Sequence, residues 1–257
     1  MGVIFLTSSL GNYHKTINGK EAIKTNNSNH FIDRLKKASD KLPNVVFVAS
    51  DPDDNAKSVE YSNLIVKSLN LDDFEIKHTS IINHDFKGDI SKTIADADCV
   101  FLMGGNVPKQ NKFFKEINLK EILKKYNGII IGQSAGSMNC GQIVYTQPEE
   151  DYEFEDNNYK RIITGLGLTA ITIMPHMNNS DKINDNGYPS VMQMCLEDSY
   201  SIPHYGIVDY GFIEIKDNKI YAFGETYQLT NGKCLTICKN GEMIDLNEFE
   251  NTKNLEK

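Results

Sequence analysis

The stretch Gly128-Ile129-Ile130-Ile131-Gly132-Gln133-Ser134-Ala135-Gly136-Ser137-Met138-Asn139 decides how the rest of the chain is read. It begins as a short, wholly apolar, β-branched run, the pattern of a strand buried on both faces. It continues through small residues into a segment that suits a helix. A G-x-S-x-G pattern set between strand and helix is a nucleophile elbow, a turn that exposes its serine at the carboxyl edge of a sheet. Gly132 and Gly136 then have a mechanical role, because side chains there would collide with the backbone of so sharp a turn. Ser134 Oγ falls near the positive end of the following helix. The competing reading is a serine N-cap with glycines that happen to fit, and the strand, turn and helix context favours the nucleophile.

Outward from the elbow, short apolar runs alternate with amphipathic segments. Residues 3–7, 45–49, 74–77, 99–103 and 129–131 are expected strands, and 31–42, 56–69 and 109–125 expected helices. Strand alternating with helix implies parallel β-α-β units. The expected fold is therefore α/β, a three-layer open and mostly parallel sheet with helices on both faces. The last third differs. Strand-like runs at 168–174 and 202–208 flank a short helix near 190–196, and 212–215 and 220–223 precede Asn-Gly turns at Asn231-Gly232 and Asn240-Gly241. These read as a C-terminal antiparallel meander closing the same sheet or packing beside it. The expectation is one domain over 1–246 with a polar, fraying tail at 247–257.

Two polar stretches interrupt the pattern. Residues 11–29 have no apolar periodicity and read as a long mobile loop at the carboxyl edge, where open α/β sheets bind ligands. Residues 149–156 carry six acids in eight positions and read first as a solvated loop. Beside the elbow serine, that run would favour substrates with a free N-terminal amine.

The 257 residues, 40% hydrophobic and 24% charged, are those of an ordinary globular protein, with no apolar run of membrane-spanning length. A formal net charge of -8 argues against nucleic acid as a partner. Five cysteines without a framework spacing read as reduced thiols, which points to the cytoplasm. Nothing in the sequence decides between a monomer and a homodimer. Asp51-Pro52-Asp53-Asp54 reads as a helix cap in preference to a cation site.

A serine nucleophile needs a base, and among the six histidines His176 is the best candidate, ending an apolar strand at the carboxyl edge. Asp209 ends the next expected strand and is the candidate third member, with Glu214 and Glu225 as rivals. An oxyanion needs two backbone donors. Ala135 supplies one, and the glycine-rich turn Met103-Gly104-Gly105-Asn106, which ends a buried strand before a helix, is the candidate for the other. Asn106 and Gln133, in the same two turns, and Arg161, as a carboxylate clamp, are candidate substrate-binding residues. Such a triad requires no cofactor and no metal. The order Ser134, His176, Asp209 departs from α/β-hydrolases, which carry the acid between serine and histidine.

Taken together, Gly104-Gly105-Asn106, the Gly132 to Ser137 elbow, Gly165-Leu166-Gly167-Leu168 and Pro175-His176-Met177-Asn178 resemble the dipeptidase E and cyanophycinase family of serine peptidases. The resemblance runs from the first strand to about Phe223. It implies a class I glutamine amidotransferase-like fold, Ser134 as nucleophile, His176 as base, and Gly105 with Ala135 as oxyanion hole. Dipeptidase E has a glutamate where Asp209 falls. It also holds an N-terminal aspartate with an arginine shortly after its histidine. Between His176 and Asp209 this chain has no arginine, and its basic residues there are Lys182 and His204. The expected activity is cleavage of a short peptide or amide bond, with Asp-X specificity not carried over. An esterase or acyltransferase with the same triad, and a non-catalytic binding module, are the competing readings.

Overall fold

The computed structural model describes residues 2–17, 19–148, 151–181 and 187–255. The chain begins on a fully buried strand, β1 (Ile4–Thr7), followed by a hairpin of β2 (Tyr13–Thr16) and β3 (Gly19–Ala22). Strand and helix then alternate. Helix α1 (Phe31–Ala38) leads to β4 (Asn44–Val48), α2 (Asn55–Leu71), β5 (His78–Ile82) and α3 (Ile90–Ala95). Next come β6 (Cys99–Leu102), α4 (Val107–Glu116), α5 (Leu119–Leu123), β7 (Ile129–Gln133) and α6 (Ala135–Asn139). A small hairpin of β8 (Ile143–Tyr145) and β9 (Ile162–Thr164) carries α7 (Asp151–Glu155) in its loop, and β10 (Ile173–Met174) and α8 (Val191–Asp198) follow. The remainder comprises β11 (His204–Ile207), β12 (Phe212–Lys216), β13 (Lys219–Phe223), β14 (Thr226–Thr230), β15 (Lys233–Cys238), β16 (Met243–Asp245) and α9 (Leu246–Leu255).

The main sheet has eight strands in the order β16-β13-β12-β1-β7-β6-β4-β5. From β1 to β5 every pairing is parallel, and β12, β13 and β16 add on antiparallel. Alternate residues of each parallel strand feed two separate cores. Ile4, Leu6, Val46, Val100, Leu102 and Ile130 pack with Phe113, Phe114 and Leu119 of α4 and α5. Phe5, Val45, Phe47, Phe101, Ile129 and Ile131 pack with Phe31 and Leu35 of α1 and Ile65 and Leu69 of α2. This double coverage is why those strands read as unbroken apolar runs. The C-terminal strands divide between this sheet and a second one, β10-β11-β14-β15. Asp54 caps α2, its carboxylate accepting the Lys57 N–H at 2.9 Å.

Four expectations are revised by the structure. The third strand is His78–Ile82 and not 74–77; it lies on the sheet edge, is half exposed and so has no apolar signature, whereas Phe74 is buried in the core behind α2. The segment 11–29 contains the β2–β3 hairpin, whose faces are mostly polar; it docks on α2 through Tyr13 and Lys20 against Tyr61 and through Lys20 with Glu60. The expected helix 109–125 breaks at Asn118, which adopts a left-handed conformation with φ 52°. The expected tail is largely helix α9, and its Glu250 accepts hydrogen bonds from Tyr205 and Gln228.

Candidate active site

Strands β1, β6 and β7 run parallel, so the residues just past their carboxyl ends meet on one edge. Ser134 follows β7 with φ 51° and ψ -115°, a conformation that non-glycine residues rarely hold. The surroundings enforce it. A Cβ at Gly136 would lie 2.1 Å from the Leu102 carbonyl oxygen, and one at Gly132 would lie 2.8 Å from the Ser137 Cα. Ser134 N–H donates to the Thr7 carbonyl at 2.9 Å, and its own carbonyl accepts the Met138 N–H at 3.0 Å. The Ser137 hydroxyl shares its hydrogen between the carbonyls of Gly132 (2.6 Å) and Thr7 (2.8 Å), tying the elbow to β1.

His176 leaves β10 in a left-handed conformation, φ 60°, which turns its ring back toward the elbow. Its Nε2 is 2.9 Å from Ser134 Oγ and its Nδ1 2.7 Å from Asp209 Oδ1. Asp209 comes two residues after β11. Its Oδ1 also accepts from the Ser8 hydroxyl (2.7 Å) and the Ser9 N–H (3.3 Å), and its Oδ2 from Asn178 Nδ2 (3.2 Å). Burial pushes the Asp209 carboxyl up, but the hydrogen bonds from His176 and Ser8, with help from Asn178, hold it down to about 2. An ionised Asp209 can only accept, so Nδ1 of His176 carries the hydrogen and Nε2 is left to accept from Ser134. A hydroxyl bonded to an imidazole that is itself bonded to a carboxylate can act as a nucleophile.

Two openings meet at Ser134, and Gly105 and His176 border both. One is a cavity of about 160 Å³ walled by Val107, Met138, Met174 and Val191. The other is an open cleft of about 620 Å³ with Lys57, Asn106, Lys109 and Tyr152 on its walls. A Cβ at Gly105 would come within 2.7 Å of the Ser50 Cβ, so the loop after β6 approaches β4 as only a glycine allows. Ala135 opens α6, whose first N–H groups have no partner within the helix.

The profile of peptidase family S51 matches residues 16–223. The chain belongs to peptidase family S51. It is a serine-type peptidase of the dipeptidase E kind. Its fold is similar to the crystal structure of a candidate peptidase E from Listeria monocytogenes EGD-e, with a TM-score of 0.58 and 18% identity over 86% of this chain and 96% of that one. No curated protein matches the chain. No helix among the described residues is long and apolar enough to cross a membrane.

Within this S51 chain the rival acids are engaged elsewhere. Glu214 forms a two-pronged pair with Arg34 (2.5 and 2.7 Å), and Glu225 accepts from the Tyr227 hydroxyl. Asn106 caps α4 through the Lys109 N–H (2.9 Å) and reaches Glu153 of α7 (3.3 Å). Gln133, half-buried, ends β7 and borders neither opening. Arg161 also stands away from both: its guanidinium donates to Asp198 at 2.6 Å, an oxygen that Tyr145 also uses. It is the stem of the β8–β9 hairpin that this pair secures, not a clamp at Ser134. The acidic run is not a plain solvated loop over its described part. Residues 151–155 form α7, Tyr152 borders the cleft, and Phe154 stacks on Tyr188 at 4.2 Å. Glu149, Glu150 and Lys182 lie outside the described residues.

Ser8 and Asn178 are the residues that sequence reasoning missed. Ser8 donates to Asp209 and accepts the His176 N–H at 2.9 Å, so one hydroxyl braces both partners of Ser134. Its only signal in the sequence is position, the first residue past β1 at the carboxyl edge.

Proposed function

We propose that this S51 peptidase hydrolyses short peptides by acyl transfer through Ser134, His176 and Asp209. The observation that carries the reading is the continuous run of short hydrogen bonds from Ser134 Oγ through the His176 ring to Asp209. Ser134 Oγ attacks the scissile carbonyl while His176 Nε2 takes its proton. The carbonyl oxygen, now negative, is stabilised by the N–H groups of Gly105 and Ala135, each donor of this kind contributing about 10²–10³ in rate. The tetrahedral intermediate collapses as His176 passes the proton to the leaving amine. Water, activated by the same imidazole, then releases the acyl group from Ser134. Asp209 holds the tautomer and stabilises the imidazolium formed in each half-reaction. No step calls on a cofactor.

The test is direct. Ser134→Ala should lower dipeptide turnover by about 10⁴-fold or more with the fold unchanged, and a fluorophosphonate should label Ser134 in the unmodified protein. Retained turnover in the variant would refute the assignment. Matched ester and amide substrates separate a peptidase from an esterase, the former keeping substantial amide cleavage.

A further inference from the structure

We infer that the small cavity beside Ser134 receives an uncharged, leucine- or methionine-sized side chain from the acyl residue of the substrate, and discriminates against aspartate and glutamate. This rests on the function proposed above. The cavity opens on Ser134 and His176 and has room for one side chain but not for a peptide. Its walls are Val107, Met138, Met174, Val191 and Pro148, and Val107 and Met138 are almost completely buried. Filling it with an apolar side chain removes apolar surface from water on both partners.

Among the described residues, a carboxylate would meet no compensating charge there. None of the cavity's described lining residues is Lys or Arg. The two arginines of the chain are both engaged with carboxylates, Arg34 with Glu214 and Arg161 with Asp198. Among the described residues, the lysines that border the openings at Ser134 are Lys57 and Lys109, both on the open cleft, and Lys109 is 2.6 Å from Asp51. Neutral donors are also committed. Gln147, on the cavity wall, directs Nε2 to the Tyr145 hydroxyl (3.2 Å), the Val191 carbonyl (3.2 Å) and Cys195 Sγ (3.1 Å). Its Oε1 is buried with no hydrogen-bond partner among the described residues, so the amide offers the cavity no free donor. The Ser180 hydroxyl donates to the Met177 carbonyl at 2.7 Å. Beyond Ser134 and His176, Asn179 is the one neutral side-chain donor left among the described lining residues, too little to replace the hydration of a carboxylate.

The experiment is a panel of dipeptides Xaa-Leu at pH 7, with Xaa as Leu, Met, Val, Asn, Asp and Glu, run on the full chain. Leu and Met should exceed Asp in kcat/KM by about 100-fold. Asn should fall between them, because it has the shape of Asp without its charge. Asp equal to or better than both Asn and Met would overturn the inference. The underlying reading fails differently: no turnover of any dipeptide and no fluorophosphonate labelling of Ser134 would overturn both. Labelled Ser134 with an Asp preference would overturn the pocket assignment alone.

Discussion

The two halves of the site are held in place by different physics. The elbow is one contiguous stretch, and its shape comes from exclusion, since Gly132 and Gly136 leave no space for a side chain and Ser137 ties the turn to β1. The other half is drawn from three distant segments, Ser8, His176 to Asn178 and Asp209, whose side chains are aligned chiefly by hydrogen bonds. A part built by exclusion fails through the fold when it is altered. A part built by hydrogen bonds fails through the chemistry while the fold persists.

Asp209→Asn gives the largest expected effect on this contrast. The amide can donate to His176 and so favours the wrong tautomer, and kcat should fall by about 10⁴-fold with native circular dichroism. The same variant reports on pH. In the folded protein the Asp209 carboxyl is lowered to about 2, against about 3.9 in an unfolded chain. Its ionised form therefore stabilises the native state at neutral pH. That contribution is complete above about pH 4 and disappears as the pH falls toward 2. Urea midpoints of wild type and variant should differ at pH 7 by the equivalent of about 1–2 kcal/mol and converge in acid. A constant gap down to pH 2 would break the electrostatic account.

Gly136→Ala probes the other half. Its methyl group would meet the Leu102 carbonyl of the neighbouring strand, a contact that requires backbone movement. A loss of about 3 kcal/mol in stability is expected, with the melting temperature falling several degrees. A variant of wild-type stability but without activity would show that the elbow, too, is held only by local bonding. Ser8→Ala should have the smallest effect, about 10-fold in kcat with KM little changed, since the hydrogen bond to Asp209 and the acceptor for the His176 N–H are lost while Asn178 and Ser9 still bind Asp209. Ser8→Thr should restore most of it. A fall in KM-governed binding with kcat intact would remove Ser8 from the alignment of His176.

The same contrast explains what could be read in advance. The elbow was legible because strand, turn and helix are adjacent in sequence and each imposes a residue type. The parallel half of the sheet was legible because burial on both faces leaves an unbroken apolar run. Edge strand β5 was not, because half-exposed residues such as His78, Thr79 and Ser80 have no such constraint. His176 and Asp209 could be nominated as strand-end residues, but their meeting depends on β10 and β11 pairing in parallel, a long-range fact. Ser8 had no distinguishing pattern at all. Arg161 was judged by its chemistry, a free cation near a site, and its Asp198 partner was invisible until α8 and the β8–β9 hairpin were seen together.

Both free edges of the eight-stranded sheet are blunt. At one end, β5 begins with the exposed polar residues His78 and Thr79, with Lys77 just before them. At the other, β16 is only three residues long and runs directly into α9. An extended apolar edge would offer its unpaired amides as a template to other chains, whereas polar or very short edges discourage such growth. The wide, strongly apolar interior that aligns β1, β6 and β7 behind Ser134 is thereby kept from becoming a nucleus for aggregation.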